Sequence, residues 1–173
     1  MQKMRKQIRA IGDIMTQPRI DALTKRYQMD RSVIANLSLD MFNSMYPQGR
    51  YIFQAINEQF YHHGDNQAPR TSMSGAEVER SVITLLAASG EGPFLAVHFY
   101  WGLVSGLCPE DMAEILLLVG SYNGIDKYTG GLRVLAETLE YLQHPHDLPD
   151  PEETDPVLLI QGLLRDIEAH IVA

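Results

Sequence analysis

Glu79 and His98 flank a Gly90-Glu91-Gly92 turn, and they are the residues best spaced to do chemistry. Glu79 lies eleven residues before Gly90, and His98 eight after it. At ~1.5 Å of helical rise per residue, these positions are about 16 and 12 Å from the turn. Two side chains on neighbouring helices can therefore stand at similar heights. Both lie on apolar stripes. Glu79 keeps company with Val82, Ile83 and Leu86, and His98 with Phe94, Leu95, Trp101 and Gly102. A carboxylate and an imidazole that meet away from water can share a proton, which is what a general acid–base pair needs. The same spacing suits a purely structural pair, a buried His whose N–H is taken by a Glu. Spacing leaves both open.

Other reactive residues offer less. Cys108 is the only cysteine, so no disulfide forms within one chain and no dithiol chemistry is available. A reducing, cytoplasmic setting is expected. His62 and His63, with Glu58 one turn before, have the look of metal ligands, but no third His is near in sequence and a solvated helix end is the expectation. His144 and His146 fall in an acidic linker, and Phe99, Tyr100 and Trp101 are expected in the core or at a subunit contact. No metal is expected.

The elements that must position Glu79 and His98 are helices throughout; no alternating strand pattern is present. A first helix spans about 2–15, with Met4, Ile8, Ile11 and Met15 on one face. Pro18 is expected to interrupt it before a short helix to about Met29. Further helices are expected over about 31–45, begun by Asp30 and ended by Pro47, and about 48–62, ended by Gly64. Residues 65–73 read as a connector. Ser74-Gly75-Ala76-Glu77 is a capping box opening a helix that stops at Gly90. The next runs from about Pro93 to Ser105. Cys108 takes the place of a capping Ser before Pro109, which opens a helix to about Tyr122. One more covers about 126–143. Residues 144–155 form an acidic, proline-bearing linker, and Asp155-Pro156 starts a last helix to Val172. The expected organisation is a single compact all-α domain. Helices in 1–70 pack on a core of 71–143, followed by the linker and the helix of 156–173.

Charge is unevenly spread. The net charge of −8 argues against nucleic acid as a partner. Residues 1–80 carry eleven Lys or Arg against eight acids, while the rest has only Lys127, Arg133 and Arg165 against fourteen. An anionic ligand among the central helices must therefore borrow a cation from Arg80, Arg133, the N-terminal half or a second subunit. The plainer consequence is a basic half packed on an acidic half. The longest uncharged stretch, Gly92–Pro109, is too short and broken to span a membrane. The first fifteen residues have no continuous apolar run and do not read as a secretory signal.

Taken in order, Glu79-Arg80, His98, Gly106-Leu107-Cys108-Pro109-Glu110-Asp111-Met112-Ala113-Glu114 and Tyr122-Asn123-Gly124 resemble the carboxymuconolactone decarboxylase and alkylhydroperoxidase-D-like family. The resemblance covers about residues 74–142. Glu79, His98, Glu114 and Tyr122 match the family's pattern in turn. Two departures matter. Where the peroxidase branch carries Cys-x-x-Cys, this chain has Glu91 and Phe94, so a dithiol peroxidase is not expected there. After Tyr122-Asn123-Gly124 stand Ile125 and Asp126 rather than the family's frequent small residue and proline.

The resemblance implies an alkylhydroperoxidase-D-like helical bundle and loss of CO2 from a carboxylated unsaturated lactone, with no cofactor. In that reaction His98 delivers the proton, Glu79 fixes its tautomer and Tyr122 donates to the developing oxyanion. Arg80 or Arg133 holds the substrate carboxylate, with Glu91 and Glu114 as further acids at the pocket. It also implies a homo-oligomer, a trimer or hexamer, with Ile8, Ile11 and Phe99–Trp101 at the contacts. Two other functions fit the same residues: another acid–base reaction on a small carbonyl compound, or a non-enzymatic helical binding module with a degenerate pocket.

Overall fold

A computed structural model describes residues 2–29, 50–61, 71–90, 92–145 and 154–172. Among these every regular element is an α-helix: α1 Gln2–Gly12, α2 Gln17–Met29, α3 Arg50–Phe60, α4 Gly75–Ser89, α5 Gly92–Val104, α6 Pro109–Asn123, α7 Ile125–Gln143 and α8 Pro156–Val172. None is long and apolar enough to cross a membrane. The expected helix over about 31–45 lies outside the described residues.

α5 is the axis of the bundle. It carries no Asp, Glu, Lys or Arg, and every residue from Leu95 to Val104 is buried. A helix apolar all round has no face to give to solvent, and α5 accordingly packs against α2, α4, α7 and α8. α6 lies against α7, α4 and α1, while α8 closes over α5 and α7. Phe99, Tyr100, Leu116, Leu135, Leu139 and Leu163 are all at or near zero exposure. The basic α1 packs on the acidic start of α6, with Gly12 against Glu110.

The helix ends follow local chemistry. Ser74 closes a full capping box: its hydroxyl accepts the Glu77 N–H at 3.3 Å, and Glu77 accepts the Ser74 N–H at 2.7 Å. That N–H, then the Ser74 hydroxyl, hold the Glu77 carboxyl below its ordinary range. Gly90 ends α4 at φ 86°, a left-handed conformation that favours glycine, and its N–H donates to the Leu86 carbonyl. Cys108 caps α6 as a serine would, its sulfur accepting the Asp111 N–H at 3.4 Å. Asp155 accepts the Val157 N–H at 2.9 Å and starts α8.

Three expectations need correction. α1 stops at Gly12, not near residue 15, and Pro18 opens α2 instead of interrupting a helix. Proline is tolerated in a first turn, where its missing N–H would be unbonded anyway. Thr154, read as part of a solvated linker, is buried. The surfaces expected at subunit contacts are interior: Ile11, Phe99, Tyr100 and Trp101 are buried within this chain and Ile8 is half-buried.

Candidate functional site

α4 and α5 form an antiparallel hairpin about Gly90, and its register brings Glu79 and His98 together. Glu79 Oε2 lies 2.8 Å from His98 Nδ1. Glu79 is 2% exposed and His98 7%, so the contact is removed from bulk water. With the carboxylate ionised, Nδ1–H donates to Glu79 and Nε2 is the nitrogen left to exchange a proton. Among the described residues no hydrogen bond is formed by Nε2.

Aromatic rings wall the pair. Trp101 follows His98 by three residues on α5 and so shares its face. The two rings meet edge to face, centroids 4.8 Å apart and planes at 88°. Tyr61, just past the end of α3, packs on Trp101 at 5.9 Å. On the next face of α5, Tyr27 from α2 meets Tyr100 at 6.3 Å. The Tyr61 phenol is pushed far above its ordinary range, first by burial and then by the negative charge of Glu79. The Tyr61 hydroxyl stands beside the Glu79 carboxylate, and hydrogen bonding to it adds to the same upward shift. The Trp101 Nε1–H is buried with no hydrogen-bond partner among the described residues.

Of the expected site residues that are described, Glu79 and His98 are the two that meet. Tyr122 is 84% exposed, which removes it as an oxyanion donor inside this chain's buried site. The reason lies in α6, whose buried face is Met112, Leu116 and Val119. Glu114, Leu118 and Tyr122 form the opposite stripe and point outward. Arg80 is exposed on α4. Arg133 is exposed on α7, 3.9 Å from Glu137, in a surface pair of little energetic weight. Neither arginine is available to hold a carboxylate beside His98 in this chain. Glu91 lies outside the described residues, as do His62, His63 and His146. Among the described residues no three His, Cys, Asp or Glu side chains gather as metal ligands would.

Cys108 is exposed at the start of α6, beyond the far end of α5 from Gly90. Partial loss of solvent around its sulfur, with nearby Asp111 and Glu110, raises the thiol's pKa and leaves less thiolate to act as a nucleophile.

Sequence reasoning missed Tyr61. It comes from a segment with no periodic relation to α4 or α5, and its neighbours His62 and His63 read as a solvated helix end. Trp101 carried a signal, since it lies on the His98 stripe, but a buried aromatic there also fits plain core. Compared with models of protein families, with curated proteins and with solved structures, the chain gives no match.

Proposed function

We propose that this chain is a cofactor-free acid–base enzyme acting on a small carbonyl compound. His98 moves the proton and Glu79 orients it. One observation carries this reading: the 2.8 Å contact engages His98 through Nδ1 and leaves Nε2 for chemistry. The apolar wall of Trp101 and the α4 and α5 core strengthens every electrostatic interaction inside it. Decarboxylation of a carboxylated lactone, which the resemblance implies, is one reaction of this class. It would break the C–CO2 bond, pass the electron pair to the lactone carbonyl and protonate carbon from His98. It also calls for a cation, and Arg80 and Arg133 face outward, so that cation would come from elsewhere in the chain or from a second subunit.

A second reading is favoured by the same burial. A pair this enclosed, with a Trp edge against the imidazole, also suits a helical binding module in which Glu79 and His98 only hold α4 to α5. Hydrogen exchange into small ketones and CO2 release from carboxylated lactones, measured for wild type and His98→Gln, separate the two. Loss of turnover on order 10²–10⁴-fold with the fold intact supports the enzyme. Turnover unchanged by His98→Gln leaves the binding module.

A further inference from the structure

A carboxylate as buried as Glu79 is costly to keep charged unless more than one donor shares the charge. His98 Nδ1–H supplies one donor, 2.8 Å from Oε2. A second comes from outside the α4–α5 hairpin. The Tyr61 hydroxyl stands beside the same carboxylate and hydrogen bonds to it. Its ring holds it there. Tyr61 packs on Trp101 at 5.9 Å, and Trp101 meets His98 edge to face at 4.8 Å. Four side chains thus close on one another, from Glu79 to His98, Trp101, Tyr61 and back to Glu79.

Donors on one carboxylate compete for its charge. A hydrogen bond to an ionised acceptor is shorter and stronger than one to a neutral acceptor, in proportion to the charge it meets. A hydroxyl bonded to Glu79 therefore leaves less of that charge for the His98 N–H. It also fixes the plane of the carboxylate, and with it the direction in which the imidazole is held.

Resting on the acid–base reading above, we infer that Tyr61 is a positioning residue for His98 and acts on it through Glu79. Its hydroxyl sets how strongly the Nδ1–H is held and how Nε2 is aimed. The site is then built from three elements: α4, α5 and the residue just past the end of α3. Tyr61 lies outside residues 74–142, which carry the resemblance, and no role is implied for it there. Because burial and Glu79 hold the phenol protonated, it remains a donor throughout the ordinary pH range.

The NMR signal of the His98 Nδ1–H tests this directly. In the full chain, isotope-labelled at its six histidines, that signal is the one lost in His98→Gln. In Tyr61→Phe the whole carboxylate charge falls on His98, so the signal should move downfield. In Glu79→Gln the charge is gone, and it should move upfield. Phenylalanine keeps the ring on Trp101, so a residue that only filled space would leave the signal in place. Tyr61→Phe should also raise the unfolding equilibrium constant roughly tenfold in the wild type, the weight of one good hydrogen bond. In a Glu79→Leu background the same change should leave it unchanged or lower it. An Nδ1–H signal that is absent from the wild type, or that stays or moves upfield in Tyr61→Phe, overturns the inference. So does an equal loss of stability with and without Glu79. Turnover of small ketones that survives His98→Gln sinks the acid–base reading instead and leaves the shift of the signal standing, so the two failures are distinct.

Discussion

Glu79 Oε2 and His98 Nδ1 meet at 2.8 Å although nineteen positions separate them in the chain. The contact joins α4 to α5 from inside, where both residues are buried. Removing one partner strands the other in a place that disfavours a lone polar group, at a cost of about 3–5 kcal/mol for a buried pair.

Single substitutions should therefore separate stability from activity. Glu79→Leu should lower the melting temperature clearly, and adding His98→Leu should recover part of the loss, since two apolar groups need no partners. A double-mutant cycle should return a coupling of about 0.5–3 kcal/mol. Strict additivity would mean that the 2.8 Å contact does not couple the two residues. In the conservative series, His98→Gln should remove most turnover and Glu79→Gln should cost less, because the imidazole survives there without its orienting partner.

Tyr61 supplies a pH signature with a definite sign. Its folded phenol titrates far above the ordinary value of 10.0, through burial first and Glu79 second. Above about pH 10 the unfolded chain therefore binds fewer protons than the folded one, and stability falls with rising pH, by at most about 1.4 kcal/mol per unit for this one group. Below pH 10 both states keep the proton and Tyr61 adds no slope. Urea unfolding across pH 8–11 should show a shallower alkaline loss in Tyr61→Phe than in wild type. Equal slopes would mean that Tyr61 ionises as freely in the folded chain as in the unfolded one.

How far the site could be read beforehand depends on which contacts are local. Glu79 and His98 were legible because they lie on adjoining helices joined by a glycine turn, so helical rise alone sets their heights. Ser74, Cys108 and Pro109 marked helix starts by chemistry that acts within four residues. Tyr61 was not legible, since it reaches Trp101 from a helix distant in sequence, and no spacing rule links them. The exposure of Tyr122 was not legible either, since order along the chain does not fix convergence in space. The outward stripe of Glu114, Leu118 and Tyr122 follows once Met112, Leu116 and Val119 are seen to face the core. The aromatic run on α5 was ambiguous for a related reason: a helix buried all round carries no face signal to tell core from interface.

Cys108 should matter as a cap and not as a nucleophile. Its sulfur accepts the Asp111 N–H at 3.4 Å, and its thiol pKa is raised. Cys108→Ser should be neutral or slightly stabilising, because a hydroxyl is a better acceptor in the same position. Cys108→Ala should cost on the order of 1 kcal/mol in thermal unfolding. Hydroperoxide turnover that depends on Cys108 would contradict this assignment.

Two glycines test how tightly the frame around the site is packed. On α6, a Cβ at Gly120 would run into the Cβ of Tyr128 and come within 3.3 Å of its Cα, and backbone cannot swing aside as a side-chain tip can. Gly120→Ala should therefore push α6 from α7 and destabilise by about 1–3 kcal/mol. On α7, Gly130 is exposed and has nothing within 4 Å of where its Cβ would go. Gly130→Ala should stabilise by about 0.5–1 kcal/mol, because alanine is the better helix former. The opposite signs make the comparison internally controlled, since both changes add one methyl to a helix. Chemical denaturation of the two variants beside wild type reads both at once. If Gly120→Ala proved as benign as Gly130→Ala, α6 and α7 would not approach each other as closely as Gly120 and Tyr128 require.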